Sequence, residues 1–556
     1  MNSKLCRTVA LLTAALLVQG SALAADPQQQ QEQRNLEELR NTVINLLQGL
    51  VEKGVLTHEQ AEAMVKNAQD KAAASAAAAA ATAAQQEKAE EGAVRVPYVP
   101  EIVKDEIRKE VVQELGPDVK KEVVDQVTSK GSLFSALPEW IQVMKFTGDI
   151  RVRGEGDDFA NNNATNAYLD FNQVNAKGGV EAAGLVQGLL NTTKDQDRMR
   201  LRVRFGFDTT LGAGFTAGVR VATGSTGEII ATTNQTLGNY GAGYTTTIDQ
   251  GYIRWTGQTS SGRQIFALTG GRFENPFIST DLVWYNDLTF EGLTTAYRLN
   301  FSSDNEHRKD WFITLGGFPL SNYSPLDPNA ENQQKWLAGG QTGVDFRFQD
   351  ESRIRFGGTY YDYIHIVGQR NPLDSTEFNW TAPAFVQKGN TLFNIAQSST
   401  NQNAGLYALA SQFRIVDLIA MGDLQVSSHY SLGLTVEALK NIGFKSADVL
   451  ARTGTYVAPR TRGYRADLGF GSSDTGPFGT WRATIGYRYL ERDAVLDAFN
   501  DEDFHLGGTD AKGYTGIFDF FFNPHVYLRT KYMSSNAIDG PPLGIDVWQV
   551  DMNARF

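Results

Sequence analysis

The sequence predicts an all-β membrane barrel of about sixteen antiparallel, up-and-down strands, preceded by an α-helical, coiled-coil-like arm. Three observations predict this fold. Apolar and polar residues alternate along the final segment, 543–556, as in a strand with one face in lipid and one in water. Similar segments recur from residue 144 onward, and the connections between them alternate between long and short. Residues 25–135 differ in composition, with almost no aromatics and many Ala, Glu, Lys, Gln and Val.

The overall composition excludes two other classes of protein. Only 41% of the 556 residues are hydrophobic, and after the amino end no run of about 18 apolar residues could span a bilayer as a helix. The chain contains 54 Gly, 20 Tyr and 31 Phe, which suit strands, tight turns and interfacial aromatic girdles. A formal net charge of -12 argues against a nucleic-acid partner.

The amino end is predicted to be a secretory signal peptide, residues 1–24. Lys4 and Arg7 precede an apolar stretch, and an A-x-A cleavage site ends at Ala24. The single cysteine, Cys6, lies inside this segment. The mature chain is therefore expected to offer no thiol for a disulfide, a zinc site or nucleophilic catalysis.

Residues 25–135 are predicted to form a periplasmic helical arm. Apolar residues at helical spacing through residues 36–50 indicate a helix that breaks at Gly54 and is followed by a second one capped by Thr57. An Ala-rich linker over 71–92 is either a solvated helical spacer or a low-complexity linker. Two later amphipathic helices either pair with helices of other subunits or pack on each other within one chain.

The barrel itself is assigned to residues 140–556. Long connections follow the odd-numbered strands and short ones follow the even-numbered strands, for most of the chain. An even number of strands with both termini in the periplasm satisfies this pattern, because periplasmic turns are short and outer loops are long. Strand starts are predicted near Met144, Arg198, Phe215, Ile248, Gln264, Leu288, Trp311, Lys335, Arg353, Gly405, Leu424, Arg462, Thr480, Lys512, His525 and Leu543.

The final strand is predicted to carry the signal that closes the barrel. Trp548, Val550, Met552 and Phe556 fall on one face, and polar residues alternate with them on the other. The apolar face is expected to meet lipid, with the last aromatic at the membrane interface.

Basic residues are predicted to line the pore. In the segment RMRLRVRFGF four arginines fall on one face. Each would cost about 2 to 4 kcal/mol at the bilayer midplane, so this face is expected to point into a wet lumen. The predicted pore-lining residues are Arg198, Arg200, Arg202, Arg204, Arg347, Arg482 and Arg488.

Three segments carry a resemblance to a known family. They are NTVINLLQGLVEKGVLT in the arm, GRFENPFISTDLVWYNDLTFEG, and DAVLDAFNDEDFHLGGTDAKGY together with VDMNARF. In these segments the sequence resembles the putative porin family of Gram-negative bacteria, over nearly the entire mature chain. The resemblance implies a passive channel with one barrel per chain, assembled as a trimer like general porins. It implies no catalytic or ligand residue.

The resemblance to general porins also implies a constriction. In those proteins a basic row on the wall faces acidic residues on an inward-folded third outer loop, and the third loop here carries Glu274, Asp281 and Asp287. The alternative is that the arginines are merely solvated lumen residues, which either pair with acids of neighbouring strands or lie away from the narrowest point. An open row would give a mild anion preference or bind phosphate and carboxylate solutes, whereas loop acids folded opposite would give weak selectivity.

Catalysis, cofactors and metals are not expected. Ser428 and His429 are adjacent in a predicted strand, so their side chains would face opposite sides of the wall and form no catalytic pair. The acidic run at 500–504, with nearby Asp510, is expected to be a solvated loop rather than a calcium site.

The expected function is an outer-membrane porin for passive diffusion of small hydrophilic solutes, with anion preference as its finer form. One alternative is an envelope tether or adhesin that acts through the arm or the outer loops, and another is a substrate-specific channel for anionic solutes. An energised receptor would need a plug domain and about 22 strands. The expected partners are outer-membrane lipid and lipopolysaccharide, the barrel-assembly machinery, further copies in a homotrimer, and peptidoglycan through the arm.

Overall fold

The structure, a computed structural model, describes residues 139–177, 188–224, 233–258, 264–302, 308–323, 333–401 and 405–556. The predicted signal peptide (1–24), the predicted helical arm (25–135) and its Ala-rich linker (71–92) lie outside the described residues.

The described part of the chain is dominated by strands. Their bounds in chain order are β1 (Lys145–Phe159), β2 (Gln196–Gly212), β3 (Phe215–Thr223), β4 (Gln235–Thr236), β5 (Thr246–Gln258), β6 (Gln264–Glu274), β7 (Thr289–Asn300), β8 (Lys309–Tyr323), β9 (Gln333–Arg347), β10 (Arg353–Ile364), β11 (Leu392–Asn394), β12 (Tyr407–Leu409), β13 (Arg414–Gln425), β14 (Tyr430–Asn441), β15 (Arg462–Ser472), β16 (Trp481–Leu490), β17 (Ala511–Phe521), β18 (Val526–Ala537) and β19 (Gly544–Arg555). All but β4, β11 and β12 form a barrel of sixteen antiparallel strands among the residues described. The predicted strand number and fold class of this region are confirmed.

The barrel is closed by antiparallel pairing of its first and last strands. β1 pairs with β2 on one side and with β19 on the other. Because the sheet has no free edge there, the backbone hydrogen-bonding groups of these strands are satisfied within the wall, as a bilayer requires. Across this seam Arg153 forms two hydrogen bonds to Asp551, from Nε to Oδ1 at 2.7 Å and from Nη2 to Oδ2 at 2.9 Å.

Two predicted strand starts are wrong. The tenth and eleventh barrel strands begin at Arg414 and Tyr430 rather than near Gly405 and Leu424. Residues 407–409 do form a strand, β12, but it pairs with β11 in a separate two-stranded sheet within a loop. An alternating segment looks the same in sequence whether it pairs in the wall or in a buried hairpin.

Helices are few and short in the described part of the chain. The α-helices are α1 (Glu139–Gln142), α2 (Phe171–Ala176) and α3 (Ser446–Thr453), and 3-10 turns cover Asn379–Thr381, Asp497–Phe499 and Phe504–Leu506. No helix among the described residues is both long and apolar enough to cross a membrane.

The two faces of the wall differ in chemistry as the period of two requires. On β19, Trp548 and Val550 are 49% and 47% exposed on the outside of the barrel, whereas Gln549 and Asp551 are 0% and 2% exposed on the inside. The apolar outer face suits lipid, and the polar inner face suits a lumen.

The connections separate the barrel into a long-loop end and a short-turn end. The chain enters β1 and leaves β19 at the short-turn end. Four long loops contribute residues to the inside of the barrel. They are L2 (described at 224 and 233–245), L3 (275–288), L5 (described at 365–401 and 405–413) and L7 (491–510).

A buried apolar core lies inside the barrel, where the sequence analysis predicts a water-filled lumen. L3 and L7 fold inward and pack against the inner faces of the wall strands, and Trp284 of L3 lies 5.3 Å from the ring of Tyr361 and 5.6 Å from that of Phe499. The core includes Phe273, Phe277, Leu282, Val283, Trp284, Tyr285, Leu288, Phe290, Phe318, Leu337, Tyr361, Tyr363, Ile366, Leu409, Phe413, Ile415, Leu439, Leu490, Ala494, Val495, Leu496, Ala498 and Phe499. These loops therefore fill part of the lumen with packed side chains.

A glycine at the seam provides a test of barrel closure. Phe556 and Gly148 exchange backbone hydrogen bonds of 3.0 and 2.9 Å, and a Cβ at Gly148 would lie 2.6 Å from Cζ of Phe556 and 2.9 Å from the carbonyl oxygen of Arg204. We expect Gly148→Val to reduce the fraction of folded barrel, measured as the heat-modifiable band after electrophoresis, because the added side chain overlaps backbone as well as ring.

The matched control is Gly154→Val. Gly154 lies on the same strand and the same face, and a Cβ there would meet nothing within 4 Å. Equal folding yields for the two variants would contradict the role assigned to the Gly148–Phe556 contact.

Candidate functional site

Four arginines on β2, namely Arg198, Arg200, Arg202 and Arg204, form a row along the inner wall. Arg198 contacts Glu155 at 2.8 Å and also Asp157, and Arg200 contacts Glu155 at 3.3 Å. These acids lie on β1, whose register places Glu155 opposite Arg198. Arg198 and Arg200 form the upper half of the row, nearer the long-loop end, and are thus paired with acids of the neighbouring strand.

Arg202 and Arg204 form the lower half of the row, nearer the short-turn end, and contact acids of both β1 and L3. Arg202 and Arg204 contact Asp149 at 2.8 and 2.6 Å and Asp287 at 2.9 and 3.3 Å. Arg151, also on β1, lies 3.9 Å from Asp287. The third long loop therefore brings one of the predicted constriction acids against the arginine row.

Asp281, the second predicted acid, reaches a different part of the wall. It contacts Arg488 on β16 at 3.0 Å and also Arg465 on β15. Glu274 stands at the root of L3, where it contacts Arg220 at 2.8 Å, and its side chain is 73% exposed. The three predicted acids therefore do not act as one cluster.

Two polar wall residues anchor the tip of L3 through its backbone. Gln341 on β9 accepts a hydrogen bond from the amide of Ile278 at 2.8 Å and donates one to its carbonyl at 2.7 Å. Glu437 on β14 accepts hydrogen bonds from the amide of Thr280 at 3.2 Å and from its hydroxyl. L3 is thus fixed on β9 and β14 before it turns back toward β2.

L7 supplies two acids that sequence analysis did not assign to the lumen. Asp503 contacts Arg153 at 3.0 Å, and Asp501 contacts Arg488 at 2.9 Å. Lys531 lies 3.9 Å from Asp501. Burial alone would raise the pKa of Asp503, but the surrounding cations, chiefly Arg153 and Lys531, hold it well below its usual range.

The acidic run at 500–504 is therefore not a solvated loop, and that prediction is wrong. Asn500 and Asp501 are each 2% exposed, because the run is docked against arginines inside the barrel. The apolar stretch AVLDAF directly before the run is the sequence feature that could have indicated burial, since a solvated outer loop is seldom so apolar. No group of three or more potential ligand residues in the described ranges is placed to hold a metal ion.

L2, L3 and L7 meet over the arginine row. The amide of Tyr285 in L3 donates to the carbonyl of Phe499 in L7 at 2.8 Å. Thr233 of L2 donates to Asp287 at 2.9 Å, and Asn234 accepts a hydrogen bond from Arg151. The side chains of the row are consequently only 11% to 28% exposed.

The other predicted pore-lining arginines occupy three environments. Arg488 is 5% exposed beneath L3 and L7, with its guanidinium 4.3 Å from the ring centre of Phe504. Arg482 contacts Asp423 at 3.4 Å and is 24% exposed. Arg347 is exposed at the short-turn end of β9.

A cavity of about 550 Å³ lies beside the lower half of the row. Its charged and polar lining is Asp149, Arg202, Arg204, Asp208, Arg220, Gln250, Tyr252, Arg254, Glu274, Tyr527, Asn553 and Arg555. Cations and anions both face this space, which makes it a hydrophilic one.

Ser428 and His429 do form a hydrogen bond, at 2.8 Å between Oγ and Nδ1. The expectation that they would face opposite sides was wrong, because they lie in the turn between β13 and β14, where strand alternation does not hold. In the described part of the chain no carboxylate contacts His429 to orient it, so the pair lacks the third member of a catalytic triad.

Comparison with known proteins gives one family. Residues 40–556 match the family described as "Putative porin". No curated protein matches the chain in a sequence comparison.

Several solved outer-membrane proteins show weak similarity. OprB of Pseudomonas putida, in its high-pH structure, is 12% identical over 74% of this chain and 94% of its own, with a TM-score of 0.42. The outer-membrane channel DcaP of Acinetobacter baumannii is 9% identical over 74% and 97%, with a TM-score of 0.37. OmpF of Salmonella typhi, solved in complex with daunomycin, is 10% identical over 74% and 97%, with a TM-score of 0.36.

The ion pairs of Asp287 lead to a prediction about stability and pH. Burial would raise its pKa, but Arg202, Arg151 and Arg204 outweigh burial and lower the pKa below 3.8. A carboxyl with a depressed folded-state pKa contributes stability above its unfolded pKa and loses that contribution as pH falls through the folded value. We expect Asp287→Asn to destabilise the packed L3 by about 3 to 5 kcal/mol at pH 7, since it removes the buried carboxylate that Arg151, Arg202 and Arg204 share.

The measurement is the thermal unfolding midpoint of wild type and Asp287→Asn from pH 8 to pH 2.5. The difference between them should stay constant down to about pH 4 and shrink below it. A difference that already shrinks between pH 7 and pH 5 would show that Asp287 is not held by these arginines.

Proposed function

The chain belongs to the putative porin family, and from this premise we propose that it forms a water-filled channel in the outer membrane through which small hydrophilic solutes diffuse passively. The family supports an outer-membrane channel. Passive diffusion, the kind of solute and the ionic selectivity are finer proposals, and they rest on the geometry of the lumen.

The observation that carries the proposal is that charged side chains on the inner wall keep contact with solvent toward the short-turn end. Arg298, Asp423 and Arg529 point inward, and their side chains are 42%, 56% and 41% exposed. A dry interior would leave such groups desolvated at high cost. Water in this half of the lumen is the simplest way to keep them charged.

The inward loops suggest that the channel is narrow. L3 and L7 place an apolar core and several buried ion pairs inside the barrel, so solutes have only part of the cross-section available. This observation favours small solutes. It also favours a substrate-specific channel over a wide general-diffusion pore.

The charges around the arginine row favour weak ionic selectivity at that level. Six arginines face six carboxylates within 4 Å of one or more partners, namely Arg151, Arg153, Arg198, Arg200, Arg202 and Arg204 against Asp149, Glu155, Asp157, Asp287, Asp503 and Asp551. A balanced set of charges within one Debye length produces little net potential. Any anion preference must then come from another part of the wall.

Orientation and partners follow from the same proposal. The short-turn end would face the periplasm, and the predicted arm would extend there. A homotrimer, contact with lipopolysaccharide, insertion by the barrel-assembly machinery and contact of the arm with peptidoglycan complete this proposal. A tether or adhesin function would depend on the arm, which lies outside the described residues.

Cysteine labelling in planar bilayers tests the channel directly. The natural Cys6 lies in the predicted signal peptide, so a single introduced cysteine gives a clean signal. Thr147 is exposed and lines the lumen cavity, whereas Phe146, the preceding residue, is 59% exposed on the outer face. We expect a charged, water-soluble thiol reagent to lower the conductance of Thr147→Cys and to leave Phe146→Cys and wild type unchanged.

Two results would contradict the proposal. One is the absence of conductance from wild-type protein that has inserted as a folded barrel. The other is an equal response of Thr147→Cys and Phe146→Cys to the reagent, which would mean that the current does not pass through this lumen.

A further inference from the structure

The inner wall of β7–β10 gathers arginines at the short-turn end. We call Arg298, Arg347, Arg353 and Arg355 the basic patch. Strand register places Arg347 directly opposite Arg353 and places Arg355 opposite Asp345. Like charges in direct opposition on neighbouring strands repel each other unless an anion lies between them.

The acids of this region are already shared. Asp345 accepts two hydrogen bonds from Arg353, at 2.7 and 2.6 Å, and one from Arg298 at 3.4 Å. Asp310 lies 2.9 Å from Arg308 and 3.5 Å from Arg298. Both carboxylates are almost fully buried, at 2% and 3% side-chain exposure.

Asp423 does not supply a carboxylate to the basic patch. It lies opposite Arg353 on β13, but its carboxylate is 3.4 Å from Arg482. Two members of the basic patch therefore have no acid within 4 Å among the described residues. They are Arg347 and Arg355.

The environment of Arg355 is unusual for a guanidinium. Within the described ranges its one hydrogen-bond contact is from Nη2 to the Sδ of Met421, at 3.3 Å. A thioether is a weak acceptor, and arginine carries five donors. Most donors of the Arg355 guanidinium therefore have no protein acceptor among the described residues.

We propose that the basic patch is a binding site for an oxyanion, the carboxylate or phosphate group of a small solute, held by Arg347, Arg353 and Arg355. Guanidinium groups match the geometry of these anions with paired, charge-assisted hydrogen bonds. Among the described residues, Asp310 and Asp345 are the acids within 4 Å of the basic patch and Arg308, so the close ion pairs of these five arginines leave an excess of positive charge. The proposal deepens the proposed function and rests on it, because it names a solute class for the same lumen.

The arginine row on β2 does not compete for this role. Its cations each have acids within 4 Å and lie beneath L2, L3 and L7. In the basic patch Arg298 and Arg353 are 42% and 33% exposed, and Arg347 is exposed as well. A solute that enters from the short-turn end meets the unpaired arginines before it meets the paired row.

The test uses the full-length protein and the double variant Arg347→Gln with Arg355→Gln. Inorganic phosphate and acetate are the two probes, and their binding is measured by calorimetry in detergent. We expect wild type to bind at least one probe and the double variant to bind it about tenfold or more weakly, since the variant loses the charge-assisted hydrogen bonds of two guanidinium groups. Preference between the probes tells phosphate from carboxylate specificity.

The matched control is Arg414→Gln. Arg414 is 51% exposed, lies 3.3 Å from Asp362 and sits outside the inward-facing set of β13. Arg414→Gln removes one positive charge outside the basic patch, against two inside it for the double variant, and it should bind the probe like wild type. Equal weakening in Arg414→Gln and the double variant, or no weakening in the double variant, would overturn the proposal, as would failure of wild type to bind either probe.

Planar-bilayer conductance separates this proposal from the channel itself. Calorimetric binding in a protein without conductance would contradict the proposed function and support the oxyanion site. Conductance with no probe binding would support the channel and overturn the site. In the double variant we also expect the reversal potential under a potassium chloride gradient to shift toward cations.

Discussion

An arginine buried beneath the inward loops of this barrel must be matched by a carboxylate, and that requirement governs where L3 and L7 lie. Arg153 and Arg488 are 4% and 5% exposed in their side chains, and a buried guanidinium without a partner costs several kcal/mol. The wall strands provide only some of the acids. L3 and L7 provide the others, through Asp281, Asp501 and Asp503. These loops are drawn into the lumen because the wall carries charges that they complete.

Ion pairs determine where L3 and L7 dock, but apolar contacts contribute much of the stability of the docked loops. A buried ion pair gains little over well-packed hydrophobic side chains, and its main contribution is to make wrong arrangements costly. The rings of Trp284, Tyr361 and Phe499 pack together beside the charged contacts. One part of the interior thus resembles the core of a soluble domain, and another part is a charged wall in contact with solvent.

The barrel could be predicted from sequence because the bilayer imposes a period of two on every strand. That rule predicts that the arginines of β2 share one face and that Trp548 lies on the other kind of face, and in the structure they lie on the inside and the outside of the wall. It fails where a segment leaves the membrane wall. The strand expected at Gly405 belongs to a loop hairpin, and Ser428 and His429 meet in a turn. Asp503 reaches Arg153 and Arg200 from L7 through contacts that are distant in the sequence. The basic patch likewise follows from register across four strands, since Arg347 and Arg355 look like any other lumen residues when strands are considered singly.

The hydrogen-bonded pair Arg153–Asp551 joins residues that are 398 positions apart in the chain. Contacts between such distant positions carry a large entropic cost of loop closure and therefore form slowly. Asp503 lies 3.0 Å from the same arginine, so the contents of the lumen and the seam of the wall share one residue. Completion of the cylinder and packing of its interior are therefore coupled through Arg153, and an intermediate with an open seam would leave this arginine with only part of its partners.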